Sequence, residues 1–221
     1  MESKRQYAVL GLGIFGSTVS KTLSKYDCDV IAIDRDMDCV QRVADFVHVA
    51  IQGDITDINV LRDAGVADCD VAVIATGSHL EESLLCIMQL KELGIPVIVA
   101  KAKNKIHKQI LEKMGVDKVV RPEKEMGVQL AKTILSSHII DTKDLDDEYS
   151  IVEVAVPKSW VGKTLLELDV RNRYHLNILG IRYESFHLDV NPSPNHRFTD
   201  KEHLLFISTS TNITKLEFID K

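Results

Sequence analysis

Along the first 140 residues the hydrophobic pattern switches repeatedly between two periods. Short β-branched or aliphatic runs at 7–10, 30–33, 47–50, 71–75, 97–100 and 118–120 are apolar at nearly every position, His48 and Lys118 excepted, the pattern of strands buried on both faces. Between most of them, apolar residues return at helical spacing: Val19 with Leu23, Leu84 with Ile87, Met88, Leu90 and Leu93, and Ile106 with Ile110, Leu111 and Met114. Strands separated by helix-length connections predict a parallel sheet, and right-handed crossovers make it a doubly wound α/β sheet. Glycines at 94 and 115 mark two helix ends, where a left-handed cap is needed. A last helix is expected at 123–137.

After that helix the pattern weakens. The stretch 141–148 is acidic and weakly periodic, so 139–149 reads as a linker between a first domain, 1–138, and a second, 150–221. The second is expected to be α+β. Residues 150–156 alternate as a strand, Gly162-Lys163-Thr164 opens a short helix, and 177–183 and 204–208 are further strands. The segment 191–195 reads as a turn, and 212–219 as a closing helix. Roughly 70 residues make a small core, so this domain is expected to lean on a neighbour or a second copy.

Composition narrows the function classes. The chain has 221 residues, 45% hydrophobic and 27% charged, which suits a globular protein rather than a disordered one. Its 27 basic and 33 acidic residues give a net charge of −6, against a general nucleic-acid binder, which needs a basic surface. No apolar run approaches the roughly 20 residues of a membrane span. The first residues lead into a strand-like run without a secretory apolar stretch, so a cytosolic location is expected. Cys28, Cys39, Cys69 and Cys86 form no CxxC pair and read as small, mostly buried apolar residues in a reducing compartment.

The candidate chemistry begins at Gly11-Leu12-Gly13-Ile14-Phe15-Gly16. This GxGxxG follows a strand and opens a helix, as a Rossmann-type dinucleotide site requires. Gly11 makes the tight turn, Gly13 admits a pyrophosphate to the backbone, and Gly16 lets helix and strand pack closely. The helix N-terminus then holds the anion. Asp34 ends the second strand 18 residues after Gly16; a carboxylate there accepts both ribose hydroxyls and repels a 2′-phosphate, although Arg35 beside it blurs that selection. Other strand ends add Asp54 and Ile55, Ala75-Thr76-Gly77, and Lys101, because ligands of open α/β sheets lie outside the carboxyl ends of strands. No Tyr-x-x-x-Lys pair, HExxH motif or acid/base constellation stands out in the second domain. A nucleotide acting as a signal therefore fits better than an enzyme. The alternative is a small NAD-dependent oxidoreductase.

Taken together, the glycine turn, Asp34, Gly53-Asp54-x-Thr56-Asp57, Ala75-Thr76-Gly77, Lys101-Ala102-Lys103-Asn104 and Arg121-Pro122-Glu123-Lys124-Glu125-Met126-Gly127 resemble the RCK (KTN) family. The nearest likeness is to cytosolic regulatory subunits of bacterial Ktr/Trk potassium-uptake systems. Gly162-Lys163-Thr164-Leu165, Leu168-Asp169-Val170-Arg171 and Asn177-Ile178-Leu179-Gly180-Ile181 resemble the C-terminal RCK lobe. The resemblance implies an RCK N domain followed by an RCK C domain. It also implies homodimers in an octameric ring, docked on a membrane potassium-translocating subunit at the inner face of the cell membrane.

Nucleotide (ATP, ADP or NAD(H)) would contact Gly11, Gly13, Ile14, Phe15, Gly16, Asp34, Arg35, Asp54, Ile55, Ala75, Thr76, Gly77 and Lys101. Glu123 would help hold a divalent or monovalent cation. Many relatives carry Arg where this chain has Ile14, which cannot supply charge to a γ-phosphate. Ile14 resembles the variant of streptococcal-type relatives that bind cyclic di-AMP. That ligand would sit between two C-terminal lobes, with Arg171 on phosphate, Asn177 hydrogen-bonding, and Leu165, Val170, Ile178 and Pro192 flanking the adenines. The lobe's usual Tyr-Gly is Tyr174-His175 here.

Overall fold

The computed structural model describes residues 4–77, 80–135, 139–146 and 148–209. The chain divides into two compact units, Met1–Glu123 and Lys124–Lys221. None of the helices among the described residues is long and apolar enough to cross a membrane.

The first unit runs β1 (Gln6–Leu10), α1 (Ile14–Lys25), β2 (Asp29–Asp34), α2 (Met37–Ala44), β3 (Val49–Gln52), α3 (Ile58–Asp63), β4 (Val71–Ile74), α4 (Leu80–Glu92), β5 (Val97–Lys101), α5 (Lys105–Lys113) and β6 (Lys118–Val120). The strands form one parallel sheet in the order β3-β2-β1-β4-β5-β6. This is the expected doubly wound architecture, with its switch point between β1 and β4.

Strand alternation builds a core on each face. Leu10, Ile33 and Ile74 point into one, with Leu61, Ile87, Leu90 and Leu111 from the helices. Val9, Val30, Ala32 and Val73 point into the other, against Val40 and Val43 of α2 and partly buried Val19 and Leu23 of α1. Fully burying each such side chain contributes about 1.5–3 kcal/mol. The third strand lies two residues later than its hydrophobic run. The ladder with β2 pairs Ile31 with Val49 and Ile33 with Ile51, while Val47 packs against the core before the strand begins. Asx caps start the helices that the apolar pattern did not single out. Asp36 accepts from the Asp38 N–H and Asp57 from the Asn59 N–H, each satisfying an orphan donor. Gly94 and Gly115 take the positive φ expected of them.

Helix α6 (Pro122–Leu135) begins where the first unit ends; residues 136 and 137 of the expected helix lie outside the described residues. The second unit continues with β7 (Ile139–Asp144), β8 (Tyr149–Ala155), α7 (Leu165–Leu168), α8 (Val170–Tyr174), β9 (Asn177–Arg182), β10 (Leu188–Asp189) and β11 (His203–Thr209). They form an antiparallel sheet in the order β10-β9-β11-β8-β7. The stretch 139–149, expected as a linker, therefore holds β7, an edge strand paired with β8. Backbone hydrogen bonds and one buried side chain, Thr142, hold it in place. Charged outward positions are how edge strands avoid further pairing, so its hydrophobic period is faint. Lys132 and Gln129 of α6 bond Asp144 and Asp141 of this strand, and the chain divides after Glu123 rather than at 138.

The lobe builds a core from Val152, Val154, Trp160, Leu168, Phe198, Leu204 and Phe206. The turn near 191–195 is present, with the His196 N–H donating to the Ser193 carbonyl at 2.9 Å. The closing helix expected at 212–219 lies outside the described residues.

A three-residue polar cluster links β8, β9 and β11. Arg182 grips Glu153 with two hydrogen bonds, 2.8 and 3.1 Å, and His203 Nδ1 lies 3.0 Å from the same carboxylate. Burial pushes the Glu153 carboxyl up, but the Arg182 and His203 contacts outweigh it and hold the group below the usual carboxylate range. A lowered folded pKa gives stability that is present above the unfolded value, about 4.3, and is lost as pH falls through the folded one. Denaturant unfolding of the full chain should therefore show stability falling below about pH 4. Glu153→Gln should flatten that acid limb and cost about 1–3 kcal/mol at neutral pH.

Candidate functional site

The glycine turn joins β1 to α1 at the carboxyl edge of the sheet, beside the switch point. Gly11 has φ +94°, and a Cβ there would stand 2.5 Å from Thr76 Cγ2. A Cβ on Gly16 would stand 1.9 Å from the Gly11 carbonyl oxygen, so α1 reaches the strand only because both positions are bare. Gly13 faces open space. The start of α1 has no side-chain cap and no acidic residue in its first turn. Its N–H groups and positive dipole end are left for an anion.

Asp34 is held rigidly beside this turn. Its Oδ2 accepts the Leu12 N–H at 2.5 Å and its Oδ1 the Asp36 N–H at 2.9 Å. A crevice opens there, lined by Gly11, Asp34, Arg35, Gly53, Ile55, Thr76 and Glu82. Thr76 Oγ1 is buried with no hydrogen-bond partner, an orphaned group that a ligand hydroxyl would satisfy. The crevice has a volume of about 20 Å³, room for about one water. Arg35 reaches across the mouth to Glu82 of α4.

The remaining expected contacts lie at the phosphate end or beside the crevice. Lys101 extends over Gly77, its Nζ 5.8 Å from the centre of the Phe15 ring and 2.5 Å from Glu123. That hydrogen bond holds the Glu123 carboxyl below the usual range. Ala75 is buried, whereas Ile14 is 90% exposed. Asp54 turns toward its own loop, accepting from the Thr56 N–H and Oγ1, and these bonds lower its pKa. Among the described residues, no three His, Cys, Asp or Glu side chains converge as a metal site. Glu123 stands with an ammonium rather than with other carboxylates.

In the second unit a cavity of about 360 Å³ is lined by Leu165, Leu166, Asp169, Val170, Arg171, Leu176, Asn177, Ile178 and Pro194. That volume suits a small-molecule site. Thr164 and Glu167 cap α7 reciprocally, and Asp169, at φ +47°, turns the chain from α7 into α8. This corner brings Leu165, Val170 and Arg171 against Asn177 and Ile178 of β9. Five of the six expected residues meet here. Pro192 does not line the cavity; Pro194 does, because its carbonyl accepts the Leu166 N–H at 3.1 Å and draws the turn over α7.

Residues 7–122 match the TrkA-N domain and residues 150–218 the TrkA-C domain. The chain belongs to the TrkA-N/TrkA-C family, the RCK architecture. It is 36% identical over 214 residues to the Ktr system potassium uptake protein C of Bacillus subtilis (strain 168), covering 97% of this chain and 96% of that protein. Identity to the Ktr system potassium uptake protein A of the same organism is 32%, over 96% of each chain. The crystal structure of the GsuK RCK domain shares the fold at TM-score 0.67 and 19% identity, over 99% of this chain and 48% of that one. The GsuK channel bound to NAD superposes at the same TM-score, over 100% of this chain and 40% of that one. These relatives are named as potassium uptake proteins, which favours the regulatory reading over the small oxidoreductase considered from the sequence.

The sequence reading missed Glu82. It stands one helical turn before Cys86 and two before Leu90, both buried, so it projects from the inward stripe of α4. A charge on an otherwise apolar stripe is a signal the sequence does contain, but an acidic first-turn residue reads first as a partner for the helix dipole. Cys69 and Cys86 are buried and Cys28 and Cys39 half-buried, all free thiols. Burial pushes the Cys69 thiol up to about 11. Because Lys101 is the main cause of the lowered Glu123 pKa, Lys101→Met should return that carboxyl toward the ordinary 4.3 or so. An NMR titration of glutamate carboxyl carbons would read this, and an unmoved Glu123 would break the assignment.

Proposed function

We propose that this chain is a nucleotide-sensing regulatory subunit of a potassium-uptake system of the Ktr/Trk type. The observation that carries the reading is Asp34, fixed on the glycine turn at the bare N-terminus of α1, in a chain 36% identical over nearly its whole length to a Ktr potassium uptake protein. The first unit binds an adenine nucleotide (ATP, ADP or NAD(H)). Asp34 accepts the ribose hydroxyls, Thr76 Oγ1 gains its missing partner, and α1 with Lys101 faces the phosphates. Phosphate drawn to Lys101 frees Glu123 for a cation, completed by a second copy. Ile14 brings no charge to a terminal phosphate, so NAD and ADP stand level with ATP.

The second unit takes cyclic di-AMP in the cavity between α7, α8 and β9. Arg171 meets phosphate, Asn177 hydrogen-bonds, and Leu165, Val170 and Ile178 supply the apolar walls. Pro194 takes the place first given to Pro192. The working assembly is a ring of homodimers, octameric as in the family resemblance, docked on the cytoplasmic face of a membrane potassium-translocating subunit. Each ligand acts by its differential affinity for two ring shapes, and one with equal affinity for both would shift nothing.

Two measurements test the two halves separately. Asp34→Ala should weaken ADP, ATP and NAD(H) by about tenfold or more, as expected for losing a charge-assisted bond, and so remove most of their thermal stabilisation. Unchanged melting shifts for all of them would defeat the ribose assignment. Arg171→Ala should weaken cyclic di-AMP by a similar factor without changing ADP binding; retained tight binding would remove the ligand from this cavity.

A further inference from the structure

We propose that Glu82 sets the sugar specificity of the nucleotide crevice: by neutralising Arg35 it makes the site reject adenine nucleotides that carry a 2′-phosphate. The inference deepens the nucleotide reading above and rests on it. An arginine directly after the ribose-binding acid is the chemistry that accepts a 2′-phosphate, since a guanidinium forks onto phosphate oxygens. From sequence, Asp34-Arg35 is therefore ambiguous. The fold resolves it.

Arg35 is the one cationic side chain among the described residues lining the crevice, and it is already committed. Its Nη2 donates to Glu82 Oε1 across 47 residues of chain. The Glu82 side chain is 13% exposed and that of Arg35 64%. Glu82 is thus the anchored partner, carried by a helix whose Ser83, Cys86, Ile87 and Leu90 are buried, and Arg35 is the arm that comes to it. Asp34 cannot swing aside, because both its oxygens hold backbone N–H groups. A 2′-phosphate would meet two carboxylates and one satisfied guanidinium, a local excess of negative charge. A free 2′-hydroxyl meets Asp34, an acceptor, and the unpartnered Thr76 Oγ1.

The test uses two ligand pairs that differ only in the 2′-phosphate: 5′-AMP with adenosine 2′,5′-bisphosphate, and NAD with NADP. Titration calorimetry on the full chain should find the unphosphorylated member favoured by at least about tenfold. Glu82→Gln keeps the shape and removes the charge; it should narrow that gap about tenfold, and Arg35→Ala added to it should reopen the gap. Arg35→Ala alone leaves both carboxylates uncompensated, so it should hold or widen the discrimination and never narrow it. An unchanged gap in Glu82→Gln overturns the proposal. So does a narrowed gap in Arg35→Ala alone. If ADP, ATP and NAD all fail to bind the unmodified protein, the nucleotide reading itself falls. ADP binding with equal affinity for both members of each pair sinks only the role of Glu82.

Discussion

The structure of the first unit depends on how closely α1 lies against the turn that follows β1. The Gly16 backbone sits where any side chain would overlap the Gly11 carbonyl, and Gly11 itself turns at a φ that L side chains rarely adopt. Because that approach is possible, the first turn of α1 arrives at the carboxyl edge of the sheet with uncapped N–H groups. Leu12 is then placed so that its N–H reaches Asp34 at the end of the neighbouring strand. One steric condition thus creates both halves of the crevice, the anion-attracting helix end and the acid proposed to take a ribose.

Charge divides that crevice along its length. The α1 dipole and Lys101 make one end positive, whereas Asp34 and Glu82 make the other negative, with Arg35 balancing one of them. A nucleotide bound as proposed would lie with its phosphates toward the helix and its ribose toward the acids. The ion pairs at the two ends differ in role: Lys101, paired with Glu123, is a cation that a phosphate would compete for, whereas Arg35 is held by Glu82 and, as proposed above, stays out of a ligand's reach. A ligand carries a signal only by its differential affinity for two states.

The second unit solves a different problem. Its short α7 and α8 survive because the Thr164–Glu167 capping box and the left-handed corner at Asp169 satisfy their ends, and because Leu168 and Val170 enter a core built around Trp160, Phe198 and Phe206. The cavity lies on the outer side of that same corner. A cationic side chain, an amide and aliphatic walls are presented by elements rigid enough to hold them in place.

Much of this was legible before any coordinates. Strands buried on both faces must be apolar at successive positions, so the six strands and their parallel, doubly wound order could be read from residue type alone, and the glycine spacing with Asp34 marked the crevice. Of the nine residues that line the C-terminal cavity, five were among the six expected there. Chain sequence alone could not reveal β7, because an edge strand is held by backbone hydrogen bonds that leave its side chains free to be charged. Nor could it decide between Pro192 and Pro194, which depends on how one turn folds over α7. Glu82 was hidden for the same reason: whether a carboxylate in the first turn of a helix faces water or an arginine 47 positions away depends on how that helix packs on the sheet. Local periodicity determines which segments form and which face they bury; long-range packing alone decides which charges meet.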